Sequence, residues 1–271
     1  MTAATSRAYS LGYLTGNGVD PVTAVKIAAE HGYDMVSFRL LPAAGEPLHP
    51  LLDDDALLAE VKAAMRDTGV TMADAEMIRL KPDTRLDSFT PFLDRIADLG
   101  AAHVLVAIDD TDPARTQESY TALCHRLGEY RLTADLEFMP WTGCKDLVSA
   151  RRLVEAADHP SAAVLFDALH FDRCGSTLQE FAELPASLMN YVQICDGPVP
   201  FDPSDEGLIA VARTARMIPG EGGIDLAAIA AHVPPGMTVS VEVPNDDLAA
   251  RLGPSEVARR SLEATKRLLG D

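Results

Sequence analysis

Four polar residues sit at the ends of short apolar runs in the second half of the chain. They are Glu137 in Leu136-Glu137-Phe138, Asp167 in Leu165-Phe166-Asp167, Gln193 in Val192-Gln193-Ile194 and Glu242 in Val241-Glu242-Val243. Their apolar neighbours draw them into the interior. A buried ionised carboxylate is costly without a counter-charge, and three together repel one another. Something positive must compensate them, and the runs that carry these residues contain no Lys or Arg. A divalent cation therefore fits better than inward-pointing basic side chains. Three carboxylates and one amide carbonyl make an all-oxygen ligand set. Such a set suits Mn²⁺ or Mg²⁺, with Co²⁺ or Zn²⁺ as alternatives, since Zn²⁺ prefers His and Cys. The competing reading, a carboxylate that only caps the following helix, suits Asp167 alone but not four successive strand ends.

Strands over 11–14, 35–40, 71–78, 103–108, 133–139, 163–167, 191–195 and 238–243 are expected to position these groups. Helical periodicity fills the stretches between them, over 22–30, 56–66, 88–99, 115–127, 145–157, 178–183, 225–231 and 255–269. Runs such as Val104-Leu105-Val106-Ala107 are apolar at every position, as expected of parallel strands buried on both faces. Eight βα units in 271 residues predict a single (β/α)₈ TIM barrel forming one domain over 1–271. A doubly wound sheet would show a glycine-rich phosphate turn after its first strand, and Gly16-Asn17-Gly18 does not complete that pattern. The longest connection, 196–223, is dense in Pro, Gly and Asp and follows the seventh strand. Long loops in that position build the active site of a barrel.

Composition narrows the function further. The chain carries 23 Lys+Arg against 41 Asp+Glu, a net charge of −18. That charge repels nucleic acid and anionic membranes, so neither is expected as a partner. Neither an N-terminal secretory segment nor an apolar run long enough to span a bilayer is evident, so the chain reads as cytoplasmic. Cys124, Cys144, Cys174 and Cys195 show no metal or disulfide spacing and read as free thiols. Homo-oligomerisation is left open.

In Glu137, in Asp167-Ala168-Leu169-His170, in Gln193, in Arg216 with Pro219-Gly220-Glu221-Gly222, and in Glu242, the chain resembles the xylose-isomerase-like barrel superfamily. That superfamily is the sugar phosphate isomerase/epimerase group, and the resemblance spans essentially the whole chain. It implies one divalent metal held by Glu137, Asp167, Gln193 and Glu242. It also implies a His170 that bonds a substrate hydroxyl or carbonyl, or assists proton transfer, and an Arg216 that reaches toward the substrate. Gln at the third ligand position, where many of the epimerases have His, is similar to hydroxypyruvate isomerase and to bacterial 3-dehydroshikimate dehydratases. No phosphate-binding loop is evident.

Arg216, Glu221, Arg39 and Trp141 are the candidate substrate contacts. Arg216 has a competing reading as a surface ion pair with Glu221. Arg39, Glu76 and Arg79 fall at the catalytic ends of strands 2 and 3, where an Arg suits a carboxylate or phosphate and a structural ion pair is the alternative. Glu137, Glu242 and His170 are the candidate catalytic groups. A metal that polarises a carbonyl acidifies the adjacent C–H, and a carboxylate on either side can take and return the proton. The expected substrate is a small polyhydroxy ketone or keto-acid, and the expected activity is isomerisation or epimerisation through an enediolate. Dehydration of an oxo-cyclitol, 3-dehydroshikimate or an oxo-sugar through the same enediolate is the alternative. An abasic-site endonuclease is disfavoured, since its three-zinc cluster needs many histidines and only His170 of the seven sits at a ligand-rich strand end. A barrel that only senses a ligand is the remaining class.

Overall fold

The computed structural model describes residues 7–16, 18–42 and 49–271. Residues 1–6, on which the reading of the N-terminus rests, and Asn17 of the Gly16-Asn17-Gly18 turn lie outside the described residues.

Eight strands close on themselves in sequence order, all parallel: β1 (Tyr9–Leu11), β2 (Met35–Arg39), β3 (Thr71–Leu80), β4 (His103–Ile108), β5 (Thr133–Glu137), β6 (Ala162–Asp167), β7 (Tyr191–Ile194) and β8 (Thr238–Val241). The ring is closed by β1 pairing with β8, with Leu11 beside Val241. This is the expected barrel. The helices are α1 (Pro21–His31), α2 (Asp55–Thr68), α3 (Thr90–Leu99), α4 (Pro113–Glu129), α5 (Leu147–Ala157), α6 (Ala168–Arg173), α7 (Leu178–Ala182), α8 (Asp205–Thr214), α9 (Leu226–Ala230), α10 (Asp246–Leu252) and α11 (Pro254–Leu269). Their ends follow ordinary capping chemistry. Asp20, Asp54, Asp112 and Asp146 accept from first-turn N–H groups, and Gly32, Gly69 and Gly100 close α1 to α3 with positive φ.

Three helices go beyond the sequence expectation, and all three adjoin the site. α6 begins directly after β6, and its buried Ala168-Leu169-His170-Phe171 run offers no polar face to mark a helix. α8 lies inside the 196–223 connection that was expected to be a loop; Ser204 caps it and Asp205 and Glu206 fill its first turn. α10 is capped by Asn245, three residues past Glu242. The first strand is also displaced: it ends at Leu11, and the chain turns at Tyr13–Gly16 where a strand was expected. Gly12 sits against β8, where a Cβ would come 2.8 Å from the Val241 carbonyl and 3.2 Å from Glu242 Cβ. Thr15 Oγ1 then donates to Val241 O (2.9 Å) and accepts from Val243 N (2.7 Å), tying the turn to both sides of Glu242.

Residues two apart on a strand share a face. Asp135 and Glu137 on β5 and Tyr191 and Gln193 on β7 are such pairs, Glu242 follows directly after β8 two residues beyond Ser240, and all six are buried. β3 breaks the alternation. Its register against β4 shifts between Ala75 and Ile78, and Glu76, Met77 and Arg79 all come to line the same cleft.

Candidate functional site

The carboxylates of Glu137, Asp167 and Glu242 converge at the C-terminal end of the barrel, each 3% exposed or less. Arg216 stands among them, also buried. Its Nη1 lies 2.6 Å from Asp167 Oδ2 and 3.1 Å from Glu242 Oε2. The positive charge that the strands lack therefore arrives from the connection after α8, which the strand sequences could not show. It does not pair with Glu221, which lies exposed on the following turn and outside the residues that line the cleft.

One guanidinium cannot offset three ionised carboxylates, and Arg39 adds only a weaker attraction at Glu242. Burial, then the charges of Asp167 and Glu242, push the Glu137 carboxyl well above its ordinary range. Burial likewise pushes Glu242 up to about 8; Arg216 opposes this while Glu76 and Asp167 add to it. At Asp167 burial acts upward, yet Arg216, His170 and the His170 N–H hold the carboxyl below the usual carboxylate value. Asp167 does two jobs. Its Oδ1 accepts the His170 N–H at 2.9 Å and caps α6, while Oδ2 faces Arg216.

Gln193 pairs in register with Asp167 on one side and with Ser240 on the other. Its Oε1 is buried and has no hydrogen-bond partner. Buried polar atoms without partners are rare and call for an explanation. A cation bound by the neighbouring carboxylates would supply one, so the donor set fits a divalent metal. Glu137, Asp167 and His170 each offer a ligand atom, all within 4.8 Å of one another. His170 Nε2 is 3.5 Å from Glu137 Oε1, and its Nδ1 is buried without a partner. Burial pushes this imidazole down to about 4, so it is neutral at neutral pH. Trp141 meets it edge-on, ring centroids 5.1 Å apart.

A cleft of about 450 Å³ opens over this floor. Glu137, Glu242, His170, Trp141, Arg216, Arg39, Glu76 and Arg79 are among the residues that line it. Arg39 Nη2 binds Glu76 Oε2 at 2.7 Å, and Arg79 grips Asp109 through two bonds of 2.8 and 2.6 Å. Both arginines are thus neutralised in ion pairs at the cleft wall. Arg216 spends Nε on Ala212 O and Nη1 on the carboxylates, while Nη2 has no bond to a described residue. Cys195 and Cys174 are free; Cys195 Sγ lies 3.3 Å from Arg216 Nη1, and burial raises its thiol to about 12, so it is not a nucleophile. No described helix is long and apolar enough to cross a membrane.

Solved structures of the same architecture include the IolI protein with a binding zinc atom, at 17% identity and TM-score 0.81, covering 97% of this chain and 98% of that one. The probable 3-DHS dehydratase AsbF of Bacillus anthracis, at 14% identity and TM-score 0.74, covers 96% and 98%. D-psicose 3-epimerase of Clostridium cellulolyticum H10, at 16% identity and TM-score 0.72, covers 97% and 99%. At these identities the likeness is one of fold. No curated protein matches the chain by sequence. The family model of the xylose isomerase-like TIM barrel matches residues 25–268, and the chain belongs to that family.

Proposed function

We propose that the protein is a divalent-metal-dependent isomerase or epimerase. Its substrate in this reading is a small polyhydroxy ketone or keto-acid, on which it moves a proton at a carbon next to the carbonyl. The observation that carries this reading is the cleft floor. Three buried carboxylates are only partly neutralised by Arg216, and beside them stands the unpartnered Gln193 Oε1.

Glu137, Asp167, Gln193 and Glu242 would hold the metal, with His170 in reach of the first two. When bound, the ion supplies Lewis acidity that makes a C–H beside a carbonyl easier to ionise. The all-oxygen set favours Mn²⁺ or Mg²⁺, and participation of His170 would admit Zn²⁺ or Co²⁺. Glu137 and Glu242 are the proton carriers. Both carboxyl groups line the cleft, where a carboxylate on either side of a bound carbonyl compound can take up and return a proton. One takes the proton and the other returns it, to the neighbouring carbon or to the opposite face. His170 lines the cleft beside Glu137, where its imidazole can hydrogen-bond a substrate hydroxyl or carbonyl. The Nη2 of Arg216 orients a substrate oxygen, and Trp141 walls the cleft.

Elemental analysis of the wild-type chain beside Glu242→Ala tests the reading. About one Mn, Mg, Co or Zn per chain, lost in the variant, supports it; no metal and no uptake of added Mn²⁺ overturns it. Incubation with ketoses, keto-acids and oxo-cyclitols in D₂O then separates the reactions. Deuterium incorporation at constant carbon skeleton marks isomerisation or epimerisation, and loss of water marks the dehydratase.

A further inference from the structure

Arg216 reaches the carboxylates from a connection, so the placement of that connection decides where its charge falls. Asp196 lies two residues past β7 and is 1% exposed. Its carboxylate accepts four backbone N–H groups. Oδ1 takes those of Gly197 (2.8 Å) and Ile224 (3.1 Å), and Oδ2 those of Gly220 (2.9 Å) and Gly222 (3.0 Å). Its main chain exchanges two further bonds, 2.9 Å each, with Met217, the residue after Arg216. The fit leaves no slack. A Cβ on Gly222 would fall 2.3 Å from Asp196 Oδ1 and 2.4 Å from Gly197 O.

Arg216 is anchored on its other side as well. Its N–H donates to Pro244 O at 2.9 Å, and Asn245 Nδ2 donates to its carbonyl at 2.8 Å. The residue therefore hangs between a segment set by Asp196 and the chain just past Glu242.

We propose that Asp196 is a positioning residue: its carboxylate is the template of the 217–224 turn and thereby fixes the Arg216 guanidinium against Asp167 and Glu242. Only a carboxylate offers acceptors on both oxygens to four N–H groups. An amide would turn its own N–H₂ toward two of those donors, and the turn would have to open. A displacement of about 1 Å in a group that orients substrate can cost on the order of 100-fold in rate. The inference rests on the reading of Arg216 as a working group, but its test needs neither substrate nor metal.

The side-chain Nε–H of Arg216 is buried and bonded to Ala212 O at 2.9 Å, so in a ¹⁵N–¹H spectrum it exchanges slowly. Its signal is the one lost in Arg216→Lys. In full-length Asp196→Asn we expect that Nε–H to exchange at least tenfold faster, while backbone amides of α2 and α4 exchange as in the wild type. If the amides of Gly220, Gly222 and Ile224 lose protection but Arg216 Nε–H keeps it, Asp196 merely ties the turn and the proposal is overturned. Should Asp196→Asn fail to fold, Gly222→Ala, whose new methyl group displaces the Asp196 carboxylate, is read by the same two outcomes. With a substrate in hand, Asp196→Asn combined with Arg216→Ala should be no slower than Arg216→Ala alone; additive losses in kcat/KM would likewise overturn the proposal. Absence of metal or turnover would count against the proposed function and leave the exchange result standing.

Discussion

Arg216 Nη1 stands 2.6 Å from Asp167 Oδ2, on the carboxylate whose other oxygen caps α6. The pair joins two parts of the chain that are 49 residues apart in sequence, and it buries both charges. Burying an ion pair costs desolvation that the attraction only partly repays. Here the guanidinium also faces Glu242, so its charge serves two carboxylates and cannot satisfy a third.

Arg216 should therefore compete with a metal. Arg216→Ala is expected to bind Mn²⁺ at least about tenfold more tightly, because a unit positive charge leaves the ligand cluster and about 1.4 kcal/mol of repulsion suffices for that factor. Turnover should fall at the same time. Calorimetric titration with Mn²⁺ checks this, and weaker binding by the variant would show that Arg216 supports the ligands instead of opposing the ion.

The metal-free chain should lose stability as pH rises from 6.5 to 8. Glu242, raised to about 8, and Glu137, raised well above its ordinary value, hold protons in the folded state that the unfolded chain has already released. Stability falls wherever the folded state binds more protons, so these groups stabilise at low pH and lose that contribution as pH climbs through their folded values. His170, lowered to about 4, acts in the opposite sense, but only between its folded value and the ordinary histidine value near 6.5. Above 6.5 the carboxyls act alone, and for Glu242 the loss by pH 8 is on the order of 1–2 kcal/mol. Thermal melts in chelator across this range test the sign, and added Mn²⁺ should restore the melting temperature most at pH 8.

Glu137→Gln should separate stability from activity. The amide removes one of the repelling carboxylates, so the metal-free melting temperature at pH 8 is expected to rise by a few degrees. The proton carrier is gone, so turnover should drop about 10²–10⁴-fold. A variant with a lower melting temperature and undiminished turnover would remove Glu137 from both roles.

Gly12→Ala reports on the seat of Glu242. Its Cβ would come 2.8 Å from the Val241 carbonyl, a contact with backbone that no rotamer relieves. The expected cost is about 1–3 kcal/mol of stability. Mn²⁺ affinity should fall with it, because Glu242 is the next residue along. Denaturant melts and the Mn²⁺ titration measure the two effects on one sample.

The barrel was legible from the sequence because its strands are uniformly apolar and its helices amphipathic, and His103–Ile108 was delimited to the residue. The convergence of Glu137, Asp167 and Glu242 was legible too, since strand ends of one closed sheet must meet. Gln193 was placed by the same logic. Arg216 was visible as a candidate but not as the counter-ion of the cluster. Its position depends on α8 and on the turn held by Asp196, and neither leaves a periodic signal. The grouping of Glu76, Met77 and Arg79 on one cleft arises from a register shift in β3, which the alternation rule cannot foresee. For Arg39 the alternative reading, a structural ion pair, is the one the fold forms, with Glu76 as its partner.

Trp141 is the chain's one tryptophan, and it stands edge-on to His170 at the cleft. An indole packed edge-on to a cleft imidazole is a fluorophore whose surroundings change when that cleft is filled. The protein thus carries an intrinsic optical probe at the place where ligands would settle. Emission recorded on unlabelled protein reports events in that cleft, without background from any other indole.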